Sequence, residues 1–137
     1  MGRKMSAKKV IDASALLAFL ENGQGAEKVS ELIKHVCEKD RMLLISSLSW
    51  CEVCHAIFSS LDRAKAEAAI ENLLTLPIEI APFEQEDAKI VALIKAEHKT
   101  SYIDSAAVAL AKKKKTALLT IKSELKKLDK IASVELL

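Results

Sequence analysis

Three carboxylates, Asp12, Glu52 and Asp104, lie far apart in the 137-residue chain, and each sits at or near the start of a helical pattern. Asp12 ends the apolar run Val10-Ile11 and precedes Ala13-Ser14-Ala15-Leu16-Leu17, so its oxygens can cap the following helix or ligate a metal ion. Glu52 falls in Ser46-Ser47-Leu48-Ser49-Trp50-Cys51-Glu52-Val53, a largely apolar segment, where it reads as a site acid or as a solvated helix residue. Asp104 opens the alanine-rich run Tyr102-Ile103-Asp104-Ser105-Ala106-Ala107, and the positive end of a helix favours a carboxylate there with or without a catalytic role.

A competing chemistry overlaps one of these acids. Cys51-Glu52-Val53-Cys54-His55 matches C-x-x-C-H, the attachment motif of c-type haem. Haem attachment requires export. The basic residues before Val10 and the apolar stretch to Leu20 imitate a leader, but Asp12 lies inside that stretch and no small-residue cleavage pattern follows in Glu21-Asn22-Gly23-Gln24-Gly25. Haem is therefore not expected, and both thiols are read as small packing residues on a helix, ahead of a redox pair or a zinc half-site. His35, His55 and His98 share no ligand spacing. Lys112 to Lys115 read as a solvated helix end ahead of an RNA contact. Trp50, Phe58, Phe83 and Tyr102 are too scattered for a base-stacking platform and are assigned to core or interface.

The acids need elements to hold them. Apolar runs too short for helices predict strands at Lys8–Ile11, Met42–Ile45, Ile78–Ile80, Ala117–Thr120 and Ser133–Leu136. Helical spacing predicts helices over Ser14–Leu20, Ala26–Lys39, a segment capped by Ser46, Ser47 or Ser49 and running to Ser60, and a segment capped by Asp62 and running to Leu74. Further helices are predicted over Phe83–Ala96 and Tyr102–Lys114, with a short turn at Ser123–Leu128. Short strands alternating with helices imply an α/β fold with a mainly parallel sheet. In such sheets ligands bind beyond the strands' C-terminal ends, where Asp12 falls.

Composition narrows the class. The chain suits one domain, residues 1–137, with residues 1–7 as a flexible extension. Half of the residues are hydrophobic and 29% are charged, the balance of a folded globular protein. A net charge of +2 excludes a globally basic nucleic-acid binder, so any electrostatic footprint is local. Three cysteines form no even framework, which points to a reducing cytoplasm, and no apolar run is long enough for a membrane span.

Taken in order, these segments resemble the PIN-domain family, and within it the VapC-type toxin ribonucleases. The resemblance spans Val10-Ile11-Asp12-Ala13-Ser14, the Glu52 segment, the Asp104 segment and Ala117-Leu118-Leu119-Thr120, nearly the whole chain. It implies a three-layer α/β/α fold whose acids cluster at one end of the sheet around Mg²⁺ or Mn²⁺; hard cations take oxygen ligands, and crowded carboxylates need a cation between them. It further implies metal-dependent hydrolysis of RNA phosphodiester bonds, an antitoxin partner and a homodimer. Asp12 and Asp104 would bind the metal directly, while Glu52 would bind it directly or through water, or orient the attacking water. Ser14 and Thr120 would hold the carboxylates or the loop backbone in place.

One position departs from the family. Two residues beyond Thr120 the family carries another Asp, and here stands Lys122. Its ammonium should weaken a second divalent ion, although its long stem can swing towards solvent. Glu124 is a candidate to restore the missing acid, but as a first-turn residue behind a Ser123 cap it has an ordinary reading too. Lys122 could instead contact the scissile phosphate, or neutralise a vacant carboxylate site in a catalytically weakened module that binds RNA or a protein partner.

Overall fold

The computed structural model describes residues 8–137; the predicted flexible extension over residues 1–7 lies outside them. The elements run β1 (Val10–Ile11), α1 (Ala13–Glu21), α2 (Ala26–Glu38), β2 (Leu43–Ser46), α3 (Ser47–Ser60), α4 (Arg63–Leu73), β3 (Ile78–Ala81), α5 (Gln85–His98), α6 (Tyr102–Lys113), β4 (Leu118–Thr120), a 3-10 turn (Ser123–Leu128) and β5 (Val134–Leu136). All predicted elements are present, with boundaries moved by a residue or two. The first predicted strand, Lys8–Ile11, shrinks to its two buried residues, and exposed Lys8 and Lys9 instead reach Glu79 and Glu135.

Every strand pairing is parallel, in the order β3-β2-β1-β4-β5. Alternating side chains serve two cores. Ile11, Leu43, Ile45 and Leu119 face one side, where α1 to α4 supply Leu16, Val29, Val53 and Ala66. Val10, Leu44, Leu118 and Val134 face the other, against Val108 of α6 and Leu125 and Leu128 of the 3-10 turn. Val91 and Ile94 of α5 pack with Ala106 and Ala109 of α6 to extend that second layer. The fold is thus three layers, α/β/α, and each fully buried aliphatic side chain adds roughly 1.5–3 kcal/mol of hydrophobic stabilisation.

Connection order locates the crevice. From β1 the chain moves outward on one side through β2 and β3, and it later returns to the other side through β4 and β5. Loops leaving β1 and β4 therefore diverge, which is the topological switch point where parallel sheets open a binding crevice. Caps fix how each chain segment leaves its strand. Among the serines proposed for α3, Ser46 does the capping and accepts from Leu48 N–H, while Asp62 accepts from Lys65 N–H. Ser123 does not cap the 3-10 turn: Lys122 holds the cap position and Ser123 is its first residue. Gly25, at φ +88°, lies against Ile121; a Cβ there would come 2.9 Å from Ile121 Cγ2. That close approach locks the loop after β4 onto the start of α2.

Candidate active site

Asp12 is buried, 2% exposed, at the C-terminal end of β1 and caps α1. Its Oδ1 accepts from Ser14 Oγ at 2.7 Å and from Ala15 N–H at 3.0 Å, and its Oδ2 accepts from Thr120 Oγ1 at 2.5 Å. Of the two readings left open for this residue, the structure shows the capping one, since Asp12 accepts from Ala15 N–H at the start of α1. Ser14 Oγ and Thr120 Oγ1 are 3.2 Å apart, but each hydroxyl has a single proton and both already donate to Asp12. The spare acceptor capacity goes to the next loop: Lys122 N–H donates to Thr120 Oγ1 at 3.0 Å and Ile121 N–H to Ser14 Oγ at 3.4 Å. Parallel pairing of Ile11 with Leu119 brings Asp12 and Thr120 side by side across the switch point.

Asp104 comes from the first turn of α6, where its N–H donates to the Ser101 hydroxyl at 3.0 Å. It is mostly buried, and its Oδ2 accepts from Lys122 Nζ at 2.7 Å. Burial pushes the Asp12 carboxyl above its ordinary range; the Thr120, Ser14 and Ala15 hydrogen bonds oppose this, and the charge of Asp104 pushes the same way. The two acids therefore sense each other as like charges. Burial pulls the Lys122 ammonium down, but the hydrogen bond to Asp104 and the charges of Asp104, Glu124 and Asp12 outweigh it, so its pKa is raised.

The structure thus gathers Asp12, Asp104, Ser14, Thr120 and Lys122 into one cluster. Glu52 and Glu124 stand apart from it as exposed side chains, on α3 and on the 3-10 turn. Among the described residues no three His, Cys, Asp or Glu side chains converge closely enough to form a ready metal cluster. Lys122, whose charge the sequence left free to reach solvent, points its ammonium inward onto Asp104. Two contributors went unnoticed in the sequence. Ser101 carries a legible signal, since it stands three residues before Asp104 in a capping pattern. Gly25 does not, because its contact with Ile121 joins residues far apart in the chain.

The C-x-x-C-H residues also part company. Val53 and Ile57 take the buried face of α3, so Cys51 and His55 are exposed and only Cys54 is half-buried, which corrects the reading of both thiols as packing residues. Burial, and to a lesser degree Cys51, pushes the Cys54 thiol up, away from the reactive thiolate. Trp50 packs on the first core, whereas Phe58, Phe83 and Tyr102 are exposed. Lys112 to Lys115 are exposed at the end of α6, as read from the sequence, and Lys113 in addition pairs with Asp87 at 3.3 Å.

A family model described as PIN domain matches residues 9–131. No curated protein matches the chain at a significant level. Among solved structures, VapBC2 from Rickettsia felis, bound to a promoter DNA fragment, superposes with a TM-score of 0.75 at 13% identity, covering 94% of this chain and 98% of that one. DNA-bound VapBC from Salmonella typhimurium gives 0.72 at 16% identity, with 95% and 98% covered. VapBC-5 from Mycobacterium tuberculosis, of the VapBC family of toxin–antitoxin systems, gives 0.60 at 21% identity, with 96% and 98% covered. At these identities the likeness is one of fold.

Proposed function

The chain belongs to the PIN-domain family, and from that membership we propose that it is a metal-dependent endoribonuclease, the toxin of a type II toxin–antitoxin pair. One observation carries the reading: Asp12 and Asp104, distant in sequence, are both mostly buried in the crevice at the β1–β4 switch point and act on each other as like charges. Burying two carboxylates together is costly unless a cation is shared between them. The donor set fits Mg²⁺ or Mn²⁺, hard ions that need only one or two carboxylates and complete their shell with waters and substrate phosphate oxygens.

Asp12 and Asp104 would hold the ion, with Glu52 reaching in from α3; when bound it would polarise the scissile phosphate and lower the pKa of the attacking water. Ser14 and Thr120 orient Asp12 by donating to both of its oxygens, which keeps the carboxylate in a single rotamer. Glu52, on an exposed face of α3, is free to take a proton from, or orient, the water opposite the leaving group.

Support for a small antitoxin partner comes from the VapBC relatives and from the exposed apolar Leu20 and Leu61, which line a groove between α1, α3 and α4. Exposed Ile90 and Leu93 on α5 suit a homodimer, and three free thiols suit a reducing cytoplasm. Among the described residues no helix is long and apolar enough to cross a membrane.

A second reading, a PIN module that binds RNA or a protein without cutting, is favoured by the Lys122 ammonium seated on Asp104. RNA cleavage assays with Mg²⁺ or Mn²⁺ separate the two. Cleavage by the wild-type chain, lost in folded Asp12→Asn and Asp104→Asn variants, supports the enzyme. Equal cleavage by the variants overturns the site, and RNA binding without cleavage favours the module.

A further inference from the structure

We propose that Lys122 is a built-in cation of the acidic site, offsetting half the charge of the Asp12–Asp104 pair when no metal is bound and competing with a divalent ion for Asp104. This rests on the metal-site reading above and adds a cost that each incoming ion must meet.

The ammonium is 2.7 Å from Asp104 Oδ2, the spacing of a charge-assisted hydrogen bond. Its placement is built from the backbone outward. Lys122 N–H donates to Thr120 Oγ1, the same hydroxyl that donates to Asp12, while Ile121 N–H donates to Ser14 Oγ. On the far side, Ile121 is wedged against Gly25. The peptide before the lysine is therefore fixed by contacts with the very groups that hold Asp12, and the side chain spans from there to Asp104. It is not a loose surface lysine that has met an acid.

Charge balance gives the pairing its consequence. Two buried carboxylates without a cation repel, and one ammonium relieves half of that charge. A divalent ion neutralises the pair by itself, so an ion that enters beside the ammonium meets a site already carrying one positive charge. The cheapest response is for the lysine to leave. Its side chain is 35% exposed, and its flexible stem allows the head to turn into solvent while the backbone stays in place. Glu124, the other acid acting on this ammonium, lies exposed on the next turn and can receive it.

The test is Mn²⁺ binding to the full chain, followed by the electron paramagnetic resonance signal of free Mn²⁺, together with melting in EDTA. Lys122→Met keeps length without charge, and Lys122→Arg keeps charge. Lys122→Met is expected to bind Mn²⁺ at least about tenfold more tightly than wild type. In EDTA the same variant is expected to melt about 4 °C or more lower, and Mn²⁺ should raise its melting temperature by more than it raises that of wild type. Lys122→Arg should stay within about threefold of wild-type affinity. Equal Mn²⁺ affinity in wild type and Lys122→Met would overturn the competition while leaving the metal site intact. Absence of Mn²⁺ binding in every variant would overturn the metal site itself, and the competition with it.

Discussion

At the β1–β4 corner both oxygens of Asp12 have donors, whereas Glu52 and Glu124, the proposed rim acids, are exposed with no hydrogen bond or ion pair among the described residues. The difference follows from what holds each acid. Strand register sets Asp12 and Thr120, and hydroxyls next to them fix the carboxylate rotamer. The rim acids depend on freely rotating side chains, and ordering one costs up to about 2 kcal/mol that a ligand must supply. On the proposed function the Asp12 corner is preassembled, whereas Glu52 and Glu124 would be ordered only by an occupant. Changes at the corner should then disturb chemistry and stability together, and changes at the rim chemistry alone.

The largest effect is expected at the two buried acids. Asp12→Asn and Asp104→Asn should each lower RNA cleavage by at least about 100-fold, since each removes a carboxylate proposed to hold the ion. Circular dichroism should show both variants folded. Asp12→Asn also reports on burial. Because the folded Asp12 pKa is raised, the folded chain takes up this proton before the unfolded chain does. Metal-free wild type should therefore gain stability relative to Asp12→Asn as pH falls through the raised pKa, and the gain should level off below the ordinary value of 3.8. Denaturant melts in EDTA across this range measure the difference; a gap that does not change with pH would mean that burial is not straining Asp12.

A smaller loss is expected at Thr120, which touches Asp12 but not the proposed substrate. Thr120→Val keeps the shape and leaves Asp12 Oδ2 and Lys122 N–H without their hydroxyl partner. Cleavage should fall by roughly 10- to 100-fold, and the chain should lose about 1–3 kcal/mol of stability. Glu52→Gln should contrast with it: cleavage down by about tenfold or more for loss of a positioned acid, with stability within about 0.5 kcal/mol of wild type. If Glu52→Gln destabilised the fold as Thr120→Val does, the distinction between fixed corner and mobile rim would collapse.

This contrast also marks how far the sequence could be read. Strand and helix periods located all the elements and put Asp12 at the end of a strand, while the resemblance carried by the Asp-x-Ser, alanine-helix and strand-ending Thr segments implied that Asp12, Ser14, Asp104 and Thr120 meet at one end of the sheet. Those residues are fixed by local backbone and register, which leave traces in neighbouring residue types. The direction of a long side chain leaves none. Lys122 was recognisable as a foreign charge, but nothing local said whether it turns to solvent or to Asp104. Gly25 was invisible for a related reason: its partner, Ile121, lies almost a hundred residues away and meets it only after the sheet has assembled.

The smallest effect is expected at Glu124, and it tests whether the second rim acid belongs to the site at all. Its carboxylate acts on the Lys122 ammonium through charge, without a direct ion pair among the described residues. It is exposed, and solvent and salt should screen most of that interaction. Glu124→Gln should therefore change cleavage by less than about threefold and stability by less than about 0.5 kcal/mol. Its influence should be greatest at low ionic strength and fade by about 0.15 M salt, where the Debye length is about 8 Å. A loss as large as that of Glu52→Gln, persisting in high salt, would make Glu124 a ligand and place the missing fourth acid of the family two residues later than Lys122.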